Sequence, residues 1–243
     1  EVLVRGGTLH WTQDLQAPKV LPKMLQPLAK MAGKTAHPAL QTPATPRTVS
    51  LTAVDVVMRN SARHHDMRID ASPPEAMGAR FVTMGRFKRG LLSLHPGRWS
   101  DWSGQVYAFF PHLDLAQSGQ QLPWGANLNA GQGQARLWGD VANGQWTGGL
   151  ADLNLTGLKT RWQDGVAPLG FESISGRLGA RVSPLGFEAS TQQLAFVSDK
   201  GLVWPGGNAT LSYTHPQGKT PASGQLQADH LDLFALREAA LQL

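Results

Sequence analysis

Apolar and polar residues alternate with a period of two along most of this chain. That spacing turns one face of a β-strand toward apolar surroundings and the other toward water. The clearest case runs from Gln134 to Trp162. Ala135, Leu137, Gly139 and Val141 share one parity, with Arg136, Trp138 and Asp140 on the other. Asn143-Gly144 follows, a pair favoured in two-residue hairpin turns because both positions need φ > 0. Beyond it Trp146, Gly148 and Leu150 alternate, and then Leu153 and Leu155 continue on the opposite parity. The change predicts a β-bulge between Leu150 and Leu153.

The same reading extends along the chain. Glu1 to Thr12 reads as two short strands around a Gly6-Gly7 turn. Val49–Met58, His65–Ala71, Arg80–Phe87 and Ser103–Phe110 read as further strands. Leu178, Ala180 and Val182 alternate, as do Phe187, Ala189 and Thr191 across the Pro184-Leu185-Gly186 turn. Leu194 and Phe196 take the other parity, so Gln192-Gln193 marks a bulge or a bend. Asp199-Lys200-Gly201 reads as a hairpin loop, and Ala209, Leu211 and Tyr213, then Leu226 and Ala228, alternate after it.

A helical period shows at two places. Leu21, Met24, Leu25 and Leu28 fall at i, i+3, i+4 and i+7, beside Lys19, Lys23 and Lys30. They lie in a basic, proline-rich stretch, residues 16–48, that reads as an insertion with a short amphipathic helix. Such a helix covers a sheet edge or rests on a membrane surface, and the three lysines are the candidates for the second role. Leu233, Leu236, Ala240 and Leu243 give a C-terminal helix over residues 231–243. No βαβ alternation occurs, so no parallel sheet is expected. The expected fold is mainly β, a long, strongly twisted antiparallel meander that curls into a groove, with one or two short helices. Residues 1–243 read as a single β-groove segment, most regular over 132–230, cut from a larger protein.

Composition narrows the function. Of 243 residues 41% are apolar and only 16% are charged, a low charge for a cytosolic enzyme. Cysteine is absent, which excludes disulfides, zinc-thiolate sites and Fe–S clusters. No apolar run approaches the roughly 20 residues that cross a bilayer. Residues 1–100 carry 14 basic and 6 acidic side chains, a balance of +8, and the remainder 8 and 11, a balance of −3. A solvated basic surface accounts for this, and no nucleic-acid motif accompanies it.

Catalytic constellations are missing. Gly33-Lys34-Thr35 resembles the end of a phosphate-binding loop, but Leu28 stands where the first glycine belongs. His64-His65-Asp66 lies on a strand, where neighbours point to opposite faces and rarely share an ion. No Gly-x-Ser-x-Gly elbow or His-Glu-x-x-His pair occurs. No catalytic residue, metal or cofactor is expected. Tryptophan outnumbers tyrosine eight to two, which leaves sugar-stacking or interfacial anchoring open beside plain core packing.

Several phrases resemble the YhdP branch of the AsmA-like envelope proteins. They are Arg5–Thr12 (RGGTLHWT), Arg98–Ala108 (RWSDWSGQVYA), Leu137–Val141 (LWGDV), Gly186–Leu194 (GFEASTQQL), Gly201–Asn208 (GLVWPGGN) and Ala228–Leu233 (ADHLDL). The resemblance covers most of the chain outside residues 16–48. It implies a large Gram-negative protein held in the inner membrane by a helix beyond this segment, with membrane contact through those other parts. It further implies a periplasmic body built as a β-groove, continued by adjoining groove segments, that carries phospholipid toward the outer membrane. The family supplies no residue motif for lipid binding. The strand pattern alone nominates a lining of Leu137, Val141, Leu153, Leu155, Leu178, Val182, Phe187, Phe196 and Leu211. The competing expectation is a closed β-sandwich that binds a glycan or a protein partner and transports nothing.

Overall fold

The computed structural model describes residues 1–13, 47–90, 93, 98–119, 127–161, 169–218 and 220–229. Twelve strands form one sheet: β1 (Val2–Gln13), β2 (Arg47–Asn60), β3 (His64–Ser72), β4 (Phe81–Arg89), β5 (Trp102–Asp114), β6 (Asn127–Ala142), β7 (Gln145–Arg161), β8 (Leu169–Ser183), β9 (Gly186–Ser198), β10 (Val203–Trp204), β11 (Ala209–Thr214) and β12 (Ser223–Ala228). One helical turn, α1 (Leu115–Gly119), follows β5. Every pairing is antiparallel, and each strand lies beside its sequence neighbour except that β11 pairs β9, with the two residues of β10 added to the other end of β9.

Local chemistry explains the hairpins. Asn143 and Gly144 have φ of 51° and 70°, the two positive values of a type I′ turn, and they join β6 to β7 directly. Pro184-Leu185 joins β8 to β9 in the same two-residue fashion. A four-residue loop, 199–202, joins β9 to β10, with Gly201 at φ 81°.

Residues paired across an antiparallel ladder stand on the same face. Starting from Leu153, the register therefore assigns a face to each strand. Leu153 pairs Ala135 and Gly176, Leu137 pairs Ala108 and Ala151, Ala180 pairs Ala189, and Ala189 pairs Leu211. In the other direction Val106 pairs Gly85, which pairs Met67, which pairs Met58, which pairs Val2. One face is apolar from the first strand to the last. The opposite face carries all five ion pairs found among the described residues, Arg59–Glu1, Arg68–Asp70, Arg80–Asp55, Arg86–Asp66 and Arg177–Asp152.

Bulges line up across this sheet. Register shifts fall at Gly6 in β1, at Ala53 in β2, between Phe110 and Leu113 in β5, at Gly157 in β7, beside Gly176 in β8 and at Gln193 in β9. Gly6, Ala53, Gly157 and Gln193 have φ between 46° and 63°, and Gly133 and Gly176 have φ of 150° and 133°. A bulge bends its strand and increases its twist. Bulges in neighbouring strands at matching heights bend the whole sheet along one transverse line.

Burial is concentrated on the apolar side of these bulges. Every buried apolar strand residue stands on it, and Val54, Ala71, Ala108, Ala135 and Leu155 cluster beside the crease. Across the same strands Arg136 and Asn154, on the polar face, are exposed. Among the described residues, extensive strand-to-strand contact is confined to ladder neighbours. α1 covers one patch, with Leu115 against Gly131 and Leu158.

Three expectations change. The sheet is single and open, so the closed sandwich is ruled out. Glu1–Thr12 is not a pair of strands around a turn: β1 is one strand that bulges at Gly6. No bulge lies between Leu150 and Leu153, because the β7–β8 register runs unbroken from Gly148 to Thr156. Leu150 instead pairs Trp138 on the polar face, and the parity changes occur at Trp146/Gly148 and at Gly157. The helices expected in 16–48 and 231–243 lie outside the described residues.

A Cβ on Gly133 would sit 2.8 Å from the Leu155 Cα, at a φ that side chains rarely adopt. Gly133→Ala is therefore expected to destabilise the fold by about 2 kcal/mol. Gly224→Ala in β12, where the nearest atom is 3.8 Å away, should change stability far less. Urea denaturation midpoints of the two variants check the difference.

Candidate functional site

The apolar face is the feature that needs an explanation. Single exposed leucines are ordinary, whereas a contiguous apolar surface of more than a few hundred Å² marks a binding surface. Eleven strands lie side by side at about 4.8 Å spacing, so the apolar face runs for about 50 Å across the sheet. Its ladder-paired residues include no carboxylate. Polar side chains within it include the hydroxyls Thr83, Thr160, Thr191 and Ser198, of which Thr160 and Ser198 are buried, and Asn60, His65 and Arg89 at one end.

The structure brings all nine sequence-nominated lining residues to this face. They divide by packing. Val141, Leu155 and Phe187 are buried and form its floor. Leu137, Leu153, Leu178, Val182, Phe196 and Leu211 are half-buried and present their sides to the trough. Phe196 sits between Phe171 at 5.4 Å and Trp204 at 6.1 Å, and Phe187 stacks on Tyr213 at 5.6 Å. Lys19, Lys23 and Lys30 lie outside the described residues.

Sequence reasoning missed the N-terminal half of the lining. Val54, Val56, Met67, Ile69, Phe81 and Ala108 continue the same face through β2 to β5. Their alternation was visible, but the bulge at Ala53 shifts the parity of β2 and hides its continuity with Leu51. Glycine also shapes the wall. A Cβ on Gly139 would collide with the Trp146 ring, and one on Gly85 would lie 2.6 Å from the Phe87 ring. Both rings thus lie flat against the sheet instead of standing across the trough.

One rim is aromatic. Trp99, in a 3-10 turn, donates its ring N–H to the Gly144 carbonyl at 2.8 Å and packs on Phe87 and Trp102 with ring centres 5.1 and 5.8 Å apart. Trp102 in turn stacks face to face on His65 at 4.1 Å. His64 and Asp66 stand on the opposite face from His65, so the three do not converge. No group of three metal-ligating side chains converges among the described residues.

The polar face holds two open hollows. One, of about 900 Å³, is lined by Asp152, Arg177, Ser190, Gln192, Asn208 and neighbours. The other, of about 510 Å³, lies over Met84, Tyr107 and Trp138. In the first, Arg177 grips both carboxylate oxygens of Asp152, the outer contact measuring 2.8 Å. Those hydrogen bonds hold the Asp152 carboxyl below the ordinary carboxylate range, against partial desolvation, with the charges of Arg177 and Arg136 adding to the effect. Arg68 does the same to Asp70.

The fold and its apolar face define an all-antiparallel, single-sheet β-protein that is open and not closed. The chain belongs to the YhdP family of cell-envelope proteins: the family model described as YhdP protein matches residues 4–242. Searches of curated proteins and of solved structures gave no match. Among the described residues no helix is long and apolar enough to cross a membrane.

The Asp152 pair sets a pH dependence. A carboxyl whose folded pKa is depressed adds stability above its unfolded pKa, near 3.9, and that contribution fades as pH falls through the lower folded value. The stability gap between the native chain and Asp152→Asn should hold steady above about pH 5 and close below about pH 4. Denaturant titrations at stepped pH check it.

Proposed function

We propose that this segment is a length of conduit that shelters the acyl chains of phospholipid while they move across the periplasm. The observation that carries the reading is the apolar face, continuous over twelve strands and creased into a trough. Membership of the YhdP family supports it. In this reading the parent protein is anchored in the inner membrane by other parts of its chain, spans the periplasm and delivers phospholipid toward the outer membrane.

The physics suits passage better than storage. Each CH₂ exposed to water costs roughly 0.8 kcal/mol, and an apolar lining offsets that cost for a chain that has left a membrane. An acyl chain is about 15 Å long, half of a bilayer's hydrocarbon core, so a trough of about 50 Å takes several in succession. The lining repeats at each strand and offers few directional bonds. A chain that advances by one strand exchanges one apolar contact for a similar one, which keeps the barrier to movement small. The head group stays at the open mouth in water and avoids the cost of burial. The outer edges of β1 and β12 have no ladder partner among the described residues, so adjoining groove segments of the parent can extend the sheet there.

Leu150 and Leu153 provide the test, because they lie three residues apart on opposite faces. Leu153→Asp should lower the phospholipid that co-purifies, measured by extraction and mass spectrometry, several-fold, whereas Leu150→Asp should leave it unchanged. Equal loading of both variants, or a native chain free of lipid, would count against the conduit.

A further inference from the structure

The rim beside the aromatic cluster holds two arginines, Arg63 and Arg89, that form no ion pair among the described residues. Arg63 and Arg89 face each other across the end of the β3–β4 ladder, where the Arg89 N–H bonds the Arg63 carbonyl at 2.9 Å. Arg89 pairs Trp102 on its other side, and His65 stacks on Trp102, so the three cationic or basic side chains share one corner of the trough mouth. Arg89 is held in place by a bond from its Nη2 to the Ala62 carbonyl at 3.0 Å.

Three nitrogens in this corner are buried without a hydrogen-bond partner: Arg63 Nε, His65 Nε2 and Arg89 Nε. They are the full set of such side-chain atoms among the described residues, and they fall together. A buried polar atom left unpaired costs about 1–3 kcal/mol, so clustering of all three marks a place that lacks an acceptor. His65 Nδ1 is 3.0 Å from the Asn60 amide oxygen, which leaves Nε2 as the ring nitrogen turned into this corner. Neither arginine forms an ion pair among the described residues. The nearby carboxylate, Asp101, takes bonds from the Ser93 and Ser100 hydroxyls, and Asp66 is on the polar face with Arg86.

We propose that Arg63, Arg89 and His65 form a phosphate site at the trough mouth, and that its occupant is the phosphate of a phospholipid whose chains lie on the apolar face. Two planar guanidinium groups suit a phosphate's oxygens. Directly below them Phe87, Met67 and Ile69 continue the apolar wall, so one amphiphile can meet both surfaces at once. Trp102 and Trp99 mark the boundary between the two, the level that indole rings favour at a membrane interface. The identification of the occupant rests on the conduit reading; the anion site itself rests on the three nitrogens.

Calorimetric titration of the full chain with three probes separates these claims. The probes are dihexanoyl phosphatidylglycerol, octyl glucoside and inorganic phosphate. The native chain should bind the phospholipid most tightly. Arg63→Gln/Arg89→Gln should weaken it roughly tenfold or more, with octyl glucoside binding unchanged. Circular dichroism and thermal melts check folding, and Arg63→Gln alone, which leaves the Arg89 anchor to Ala62 intact, should show a smaller loss in the same direction. If both variants bind the phospholipid as the native chain does while octyl glucoside also binds, the conduit stands and the phosphate site falls. If the native chain binds phosphate but neither amphiphile, the lipid occupant is overturned and the conduit with it. Failure to bind any of the three overturns both.

Discussion

A strand that crossed the crease without a bulge would turn half of its leucines into water. Side chains alternate with a period of two, and an extra residue is what lets a strand bend sharply and still keep one parity inward. β7 shows this at both ends. Trp146 and Gly148 straddle one irregularity and Leu155 and Leu158 another, yet Trp146, Leu153 and Leu158 all reach the apolar face. The bulges at Gly6, Ala53, Gly157 and Gln193 hold adjacent strands to a common bend. Without them the sheet would be a twisted ribbon with an exposed greasy side, and the side chains beside the crease would have nothing to lean on.

Stability and function draw on this face in opposite ways. Val54, Ala71, Ala108, Ala135 and Leu155 are buried because the crease folds the face on itself. Farther from the bulges, Leu137, Leu153 and Leu178 remain half-exposed, and among the described residues no large side chain is fully sealed. The ladder hydrogen bonds and the polar face, with its Arg–Asp pairs, therefore carry the fold without a second layer. Most such surface pairs contribute little each, so their main effect is to keep the outer face wet and to discourage sheet-to-sheet stacking. A surface left apolar at this scale marks a binding surface, and under the proposed conduit an acyl chain would cover it without demanding directional partners.

Much of this was legible in the sequence. Asn143-Gly144 predicted the central hairpin, and the parity of Leu137, Leu178, Phe187 and Leu211 placed them on one face. The parity change at Gln192-Gln193 correctly marked a bulge. The crease as a whole was not legible, because half of its bulge residues, Ala53 and Gln193, carry no turn signature. Leu150 misled for a different reason: one leucine exposed on a polar face is common, and it imitated a change of register. The rim was invisible because Arg63, Arg89 and Trp102 come together only through the β3–β4–β5 ladder, and His65 reads as a metal candidate until its neighbours are seen on the other face.

The central claim is that one parity of each strand touches lipid and the other does not. A photo-crosslinking amino acid placed in turn at positions 150, 151, 153 and 154 of β7, and at 178, 179 and 180 of β8, reads this directly in cells. The account predicts phospholipid adducts at 151, 153, 178 and 180 and none at 150, 154 and 179. Adducts of equal yield on both parities, or on neither, would contradict it.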